Sequence, residues 1–188
     1  MRVVGINGSG RADGNTAVLV RAILEGAAKA GAQTDFLQLA QMDFVGCDSS
    51  QACKKTHRCQ LQDGMQRFYA LAPEADVLVF GAPIYFDHKA AQAKAFFDRL
   101  FCYCGSGMEN YYPNPEARIV IALTYGAGGE DTYDEVADWL AERFRFYFGL
   151  ETAARFAIPS CGLEPLIEPT HPTVQAARAF GRGLGNRA

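Results

Sequence analysis

Short apolar runs recur along the chain, separated by stretches in which apolar residues return every three or four positions. Val3 to Ile6 is the first run, of strand length and unbroken until Asn7. Such a run suits a strand buried on both faces. Val77-Leu78-Val79-Phe80-Gly81-Ala82 and Ile119-Val120-Ile121-Ala122-Leu123 repeat it. Gln33–Leu39, carrying Phe36, Leu37 and Leu39, and Thr152–Ile158, stopped by Pro159, supply two more strands. Helical stretches fall between them. Ala17–Ala30 is rich in Ala, Leu and Val and stops at Gly31. A second helix starts at Asp63 or Gly64 and ends by Pro73. Ala90–Phe101 carries the stripe Ala93, Phe96, Phe97 and Leu100. Asp131 or Thr132 caps a fourth helix bearing Tyr133, Val136, Trp139, Leu140 and Phe144, ended near Gly149. Thr170–Gly183 is the last, with Pro172 in its first turn. These are the periodicity and boundary signals of amphipathic helices. Because strand and helix alternate, the strands run parallel and their crossovers are right-handed. The pattern predicts an α/β, doubly wound, three-layer sandwich around a parallel sheet of about five strands. Two stretches break the rhythm and read as loops, Gln41–Gln62 and Cys102–Asn114.

The chain has 188 residues, 49% of them hydrophobic, which fits a single domain over 1–188 with a sizeable core. Lys and Arg number 18 and Asp and Glu 21, a net charge of 18 − 21 = −3. That weak acidity argues against nucleic acid or an anionic membrane as partner. The N-terminus shows no apolar core of a leader sequence, and no run reaches the length of a membrane span. The expectation is a cytoplasmic protein, in which the six cysteines serve as thiols or ligands and not as a disulfide framework.

In a doubly wound sheet, ligands sit beyond the carboxyl ends of the strands at the switch in strand order. Three loops fall there: Gly8–Thr16, Pro83–His88 and Thr124–Gly129. In the first, small residues let backbone N–H groups converge, Asn15 or Thr16 caps the following helix, and Arg11 adds a positive charge. This reads as a phosphate cradle, against the plainer reading of an ordinary strand–turn–helix connection. A triphosphate loop needs G-x-x-x-x-G-K-S/T; Gly5 and Gly10 have the spacing, but Arg11-Ala12 follows. A dinucleotide fingerprint needs G-x-G-x-x-G; here the last spacing is one residue too long, and Gln38-Leu39-Ala40 lacks the acidic residue after the second strand. A single phosphate on a flat ring fits better. Pro83-Ile84-Tyr85-Phe86 offers stiff backbone and aromatic faces, and Tyr125–Gly129 lets backbone approach a ring edge. Tyr85 and Phe86 read equally as core or interface packing.

Gly8-Ser9-Gly10-Arg11-Ala12-Asp13-Gly14-Asn15-Thr16 resembles the G-S-x-R-x-x-G-N-T loop of the flavodoxin-like NAD(P)H-dependent FMN reductases. Cys53-Lys54-Lys55-Thr56-His57-Arg58-Cys59 with Asp63-Gly64-Met65 is similar to the C-K-K-T-G-x-C and D-D-M segments of their iron–sulfur flavoprotein branch. Gly81-Ala82-Pro83-Ile84-Tyr85-Phe86 and Lys94-Ala95-Phe96-Phe97-Asp98-Arg99 resemble G-x-P-x-Y and K-x-F-x-D-R. The resemblance implies a flavodoxin-like sheet of order 2-1-3-4-5 and bound FMN. Ser9, Arg11, Asn15 and Thr16 would hold its phosphate; Pro83, Ile84, Tyr85 and Phe86 would line the isoalloxazine; Tyr125, Gly126 and Gly129 would meet its other edge. It also implies NAD(P)H as co-substrate, a homodimer or homotetramer, and a small electron acceptor such as a quinone, flavin, azo or nitro compound. Asp98 and Arg99 read as a helix-end ion pair or as interface residues. The alternative function is a flavodoxin-like electron carrier with a degenerate iron–sulfur site; a flavin-free relative is a third. No general acid or base is assigned.

The relatives' iron–sulfur loop carries cysteine at four positions, corresponding here to Cys47, Ser50, Cys53 and Cys59. Serine is a poor replacement for a thiolate on iron, so the expectation is that the loop binds no stable cluster and no metal. Cys47, Cys53 and Cys59 with His57 would make a Cys3His zinc set, but the favoured reading is free thiols. Cys102, Cys104 and Cys161 belong to no motif.

Overall fold

The computed structural model describes residues 1–162 and 166–185. Five parallel strands form its centre: β1 (Arg2–Asn7), β2 (Gln33–Gln38), β3 (Val77–Tyr85), β5 (Arg118–Thr124) and β6 (Glu151–Ile158), in the order β2-β1-β3-β5-β6. Counting these parallel strands alone, the order is the expected 2-1-3-4-5. A sixth, β4 (His88–Lys89), pairs antiparallel with the end of β3. The sequence pattern does not reveal it, because two residues carry no periodicity.

Side chains alternate across the sheet as the strand period requires. Val3, Val77, Val79, Val120 and Ala122 face α1 (Asn15–Lys29) and α5 (Pro172–Leu184). Val4, Ile6, Leu78, Phe80, Ile119 and Ile121 face α2 (Met65–Leu71), α3 (Ala91–Arg99) and α4 (Asp134–Phe148). The three central strands are buried on both faces, which is why their sequences are continuous apolar runs. Where α1 crosses α5 the backbones touch: a Cβ on Gly26 would stand 2.1 Å from the Arg178 carbonyl oxygen, and one on Gly181 2.1 Å from that of Ile23.

Several boundaries depart from the sequence reading. Gly14, not Asn15 or Thr16, occupies the N-cap position of α1, and no side chain caps that helix. Tyr133 precedes α4 in the position expected for Asp131 or Thr132; Asp134 and Glu135 in the first turn suit the helix dipole instead. Helix α3 ends at Arg99 and tightens into a 3-10 turn over Leu100–Tyr103. The stretch Cys102–Asn114, read as a loop, is partly core: Cys102, Tyr103, Cys104 and Tyr112 are buried. Asp98 and Arg99 do not pair with each other. Asp98 meets Lys94 at 2.6 Å, one turn back, and Arg99 reaches Asp63. No helix among the described residues is long and apolar enough to cross a membrane.

Candidate active site

The first βα loop is set by two buried amides that sequence reasoning did not single out. Asn7 ends β1 and Gln38 ends β2, side by side in register. Asn7 Nδ2 donates to Gln38 Oε1 (2.5 Å) and to the Arg11 carbonyl (3.2 Å), while Asn7 Oδ1 accepts from Ser9 N–H (3.2 Å). Gln38 Nε2 donates to the Ser9 carbonyl (2.7 Å). Ser9 Oγ in turn accepts from Arg11 N–H (3.1 Å). The only sequence signal for this scaffold is a polar residue closing each of two neighbouring strands. Gly8 N–H donates to the Gly81 carbonyl at 2.7 Å, and a Cβ there would sit 2.6 Å from Ala93 Cβ, so the loop lies tight against α3.

Asn15 does not cap α1. Its side chain donates to the Gly162 carbonyl (2.9 Å) and accepts from Ile167 N–H (2.9 Å), tying the segment after β6 to the loop. Thr16 Oγ1 lies 2.7 Å from Thr124 Oγ1 at the end of β5. The first N–H groups of α1 therefore have no side-chain partner at their cap, a ready anion site at the positive end of the helix dipole.

The strands' carboxyl ends open into a cavity of about 960 Å³. Ser9, Arg11, Asn15, Thr16, Pro83, Ile84, Tyr85, Phe86, Tyr125 and Gly126 all line it. Gly129 stands outside; its carbonyl and that of Glu130 accept from the Tyr125 hydroxyl (3.1 and 2.8 Å), which fixes the Tyr125 ring. The cavity also takes in His88 and Thr124, from the loops expected there, and Lys89, Lys94, Cys161 and Gly162, which the sequence reading did not place there.

Tyr85 and Phe86 are not core residues. Tyr85 pairs with His88 across a two-residue turn whose central residues, Phe86 and Asp87, have φ of 47° and 62°. Two positive φ values are the I′ arrangement, usually built from Asn-Gly. Here a fully exposed phenylalanine occupies the first place. The Tyr133 hydroxyl donates to Asp87 Oδ1 at 2.8 Å and holds the turn to the start of α4.

The cavity's charge is positive. Besides Arg11, it contains Lys89, whose chain is 5% exposed and whose Nζ lies 3.8 Å from the Trp139 ring centroid and 3.3 Å from His88 Nδ1. Burial, with Lys94 nearby, lowers the Lys89 pKa to about 8. Burial and the two lysines also lower that of His88, which favours its neutral ring. Lys94 Nζ donates to both carboxylate oxygens of Asp98 (2.6 and 2.8 Å).

A second, smaller cavity of about 100 Å³ is lined by Cys47, Ser50, Cys53 and Cys59 from the cysteine loop and by Arg99, Phe101 and Cys102 from the end of α3. None of the six cysteines is in a disulfide. Arg99 is fully buried; it donates to Asp63, to the Val45 carbonyl (2.8 Å) and to Cys59 Sγ (3.3 Å). Burial works to raise the Asp63 pKa, but its bonds from Arg99, Met65 N–H and Val45 N–H outweigh that and hold it below the usual carboxylate range. Burial pushes Cys102 up to about 12. His57 turns to the other side of the loop and stacks on Tyr111 at 3.5 Å, so it does not complete a Cys3His set. Among the described residues, no three His, Cys, Asp or Glu side chains stand close enough to hold a single metal ion.

A parallel doubly wound sheet with an anion-binding helix start and an apolar, aromatic-rimmed cleft at its switch point defines a flavodoxin-like protein. The model of the NADPH-dependent FMN reductase family matches residues 1–154, and the chain belongs to that oxidoreductase family. It is 37% identical over 99 residues to an iron–sulfur flavoprotein of Methanocaldococcus jannaschii, a match spanning 53% of this chain and 51% of that protein. To an iron–sulfur flavoprotein of Methanosarcina thermophila it is 29% identical over 142 residues, 74% of this chain and 73% of the relative. Among solved structures, an NAD(P)H:quinone oxidoreductase from Methanothermobacter marburgensis superposes with a TM-score of 0.71 at 19% identity. That superposition covers 98% of this chain and 96% of the other. An FMN-dependent NADH-azoreductase from Bacillus anthracis superposes with a TM-score of 0.62 at 13% identity, covering 100% and 99%. These two likenesses concern the fold.

Proposed function

We propose that this chain is an FMN-dependent oxidoreductase that passes electrons from NAD(P)H to a small acceptor such as a quinone, a free flavin, or an azo or nitro compound. The observation that carries the reading is the convergence of three loops, distant in sequence, on one cationic cavity beside an uncapped helix start. The residues fit FMN. Ser9, Arg11, Asn15 and Thr16 stand at the anion end, where the α1 N–H groups and Arg11 would hold a phosphate. Pro83, Ile84, Tyr85 and Phe86 form the apolar side along which a flat ring would lie, and Tyr125 and Gly126 close the opposite edge. Gly129 contributes through the Tyr125 hydroxyl alone.

FMN, when bound, supplies hydride acceptance and electron transfer; the protein supplies position and electrostatics. Asn7 and Gln38 fix the loop so that its donors need no reorganisation on binding. Lys89 and Lys94 place positive charge where an anionic dinucleotide would approach. The Phe86–Asp87 turn, anchored by Tyr133, presents an aromatic face at the mouth for a planar donor or acceptor. Its exposed rings, with Phe101, Met108 and Phe146 elsewhere, also support assembly as a homodimer or homotetramer. A cytoplasmic location is part of the same proposal.

The test is anaerobic. Protein loaded with FMN is mixed with excess NADH or NADPH, and the flavin spectrum is followed. Bleaching, followed by recovery when a quinone is added, is the expected result. A spectrum that neither nucleotide changes would overturn the reductase reading and favour the electron carrier.

A further inference from the structure

Ser50 leaves the cysteine loop one thiol short, and the loop alone gives no reason to expect a cluster. The fold changes that count. Cys102, which belongs to no sequence motif, lies in the 3-10 turn after α3 and lines the same cavity as Cys47, Cys53 and Cys59. We propose that these four cysteines are the ligands of an iron–sulfur cluster, with Cys102 taking the place that Ser50 vacates.

Two further features support the placement. Lys54, next to Cys53, donates to the carbonyls of Phe101 (2.9 Å) and Cys104 and lies over the Phe101 ring at 3.1 Å. These contacts flank Cys102 on both sides and hold the loop against it. Arg99 is fully buried in the cavity wall, donates to Cys59 Sγ, and has an Nε with no hydrogen-bond partner among the described residues. A buried orphan N–H is costly, and cluster sulfur would accept it. The acidic neighbours, Asp48 in the lining and Asp63 on Arg99, are offset by Arg99 and Lys54.

The experiment uses full-length protein, reconstituted under argon with ferric iron, sulfide and a thiol reductant. Iron, acid-labile sulfide and the low-temperature EPR spectrum after dithionite reduction are measured in the wild type and in Cys102→Ala, Ser50→Ala and Ser50→Cys/Cys102→Ala. FMN content, read at the separate cavity, reports folding. Expected are about four irons and four sulfides per chain in the wild type, as a cubane requires. Ser50→Ala should match it, Cys102→Ala should lose most of the iron and the EPR signal, and the double variant should regain both. A wild type without iron and sulfide, or holding zinc alone, would overturn the proposal. So would unchanged iron in Cys102→Ala, or its loss in Ser50→Ala. Should Cys102→Ala not bind FMN, recovery in the double variant decides instead. None of these readouts depends on reaction with NAD(P)H.

Discussion

Removing the Asp63 carboxylate tests how the cysteine loop is held to the end of α3. Arg99 is 0% exposed at its side chain and Asp63 16%, and they meet through two guanidinium nitrogens. Asp63→Ala leaves a buried cation whose remaining partners are the Val45 carbonyl and Cys59 Sγ. Breaking a buried pair from one side costs about 3–5 kcal/mol. The two surviving contacts place this case near the lower figure, about 3 kcal/mol out of a total of roughly 5–15 kcal/mol. With a urea slope of about 2 kcal/mol per molar, the unfolding midpoint should fall by about 1.5 M. The assay is urea unfolding followed by far-UV circular dichroism, on metal-free protein kept reduced. Asp63→Ala/Arg99→Met removes the charge as well as its partner and should recover most of the loss. The pair also sets an acid limb. Folded Asp63 holds its proton more weakly than unfolded Asp63, so its contribution is present above the usual carboxylate pKa. It is lost as pH falls through the lowered folded value. The double variant should show a flatter acid limb. A loss below about 1 kcal/mol in Asp63→Ala, the size of an exposed pair, would refute the reasoning.

Three other outcomes follow from the geometry. Arg11→Ala should weaken FMN binding about tenfold or more, the loss of one charge-assisted hydrogen bond, and leave riboflavin binding unchanged; equal weakening of both in fluorescence titrations would remove Arg11 from the phosphate end. Affinity for NAD(P)H should decline as pH rises through about 8, where Lys89 loses its charge, and Lys89→Met should flatten that dependence; an identical pH profile in the variant counts against it. Gly26→Ala should cost about 1–3 kcal/mol or more, because its Cβ would overlap the Arg178 carbonyl at 2.1 Å; thermal unfolding unchanged from the wild type would mean that the α1–α5 crossing yields easily.

What the chain declares on its own is whatever rests on local repetition. Runs such as Val77–Ala82 are apolar without interruption because both faces of a central parallel strand are covered, so strand, direction and layer order are readable from pattern alone. The βα loops are readable for a related reason: once the layers are known, the carboxyl ends of the strands are known, and Gly8–Thr16, Pro83–Phe86 and Tyr125–Gly126 must meet. Partners across the fold leave no such trace. Nothing near Asn7 announces Gln38, nothing near Arg99 announces Asp63, and the Phe86–Asp87 turn lacks the glycine that would mark it. Cys102 is the plainest instance. It lies 43 residues beyond Cys59, outside every spacing rule, and only the packing of α3 against the cysteine loop puts it beside the other three. Periodicity records what a residue faces, whereas a contact between distant segments depends on where the whole sheet sends each of them.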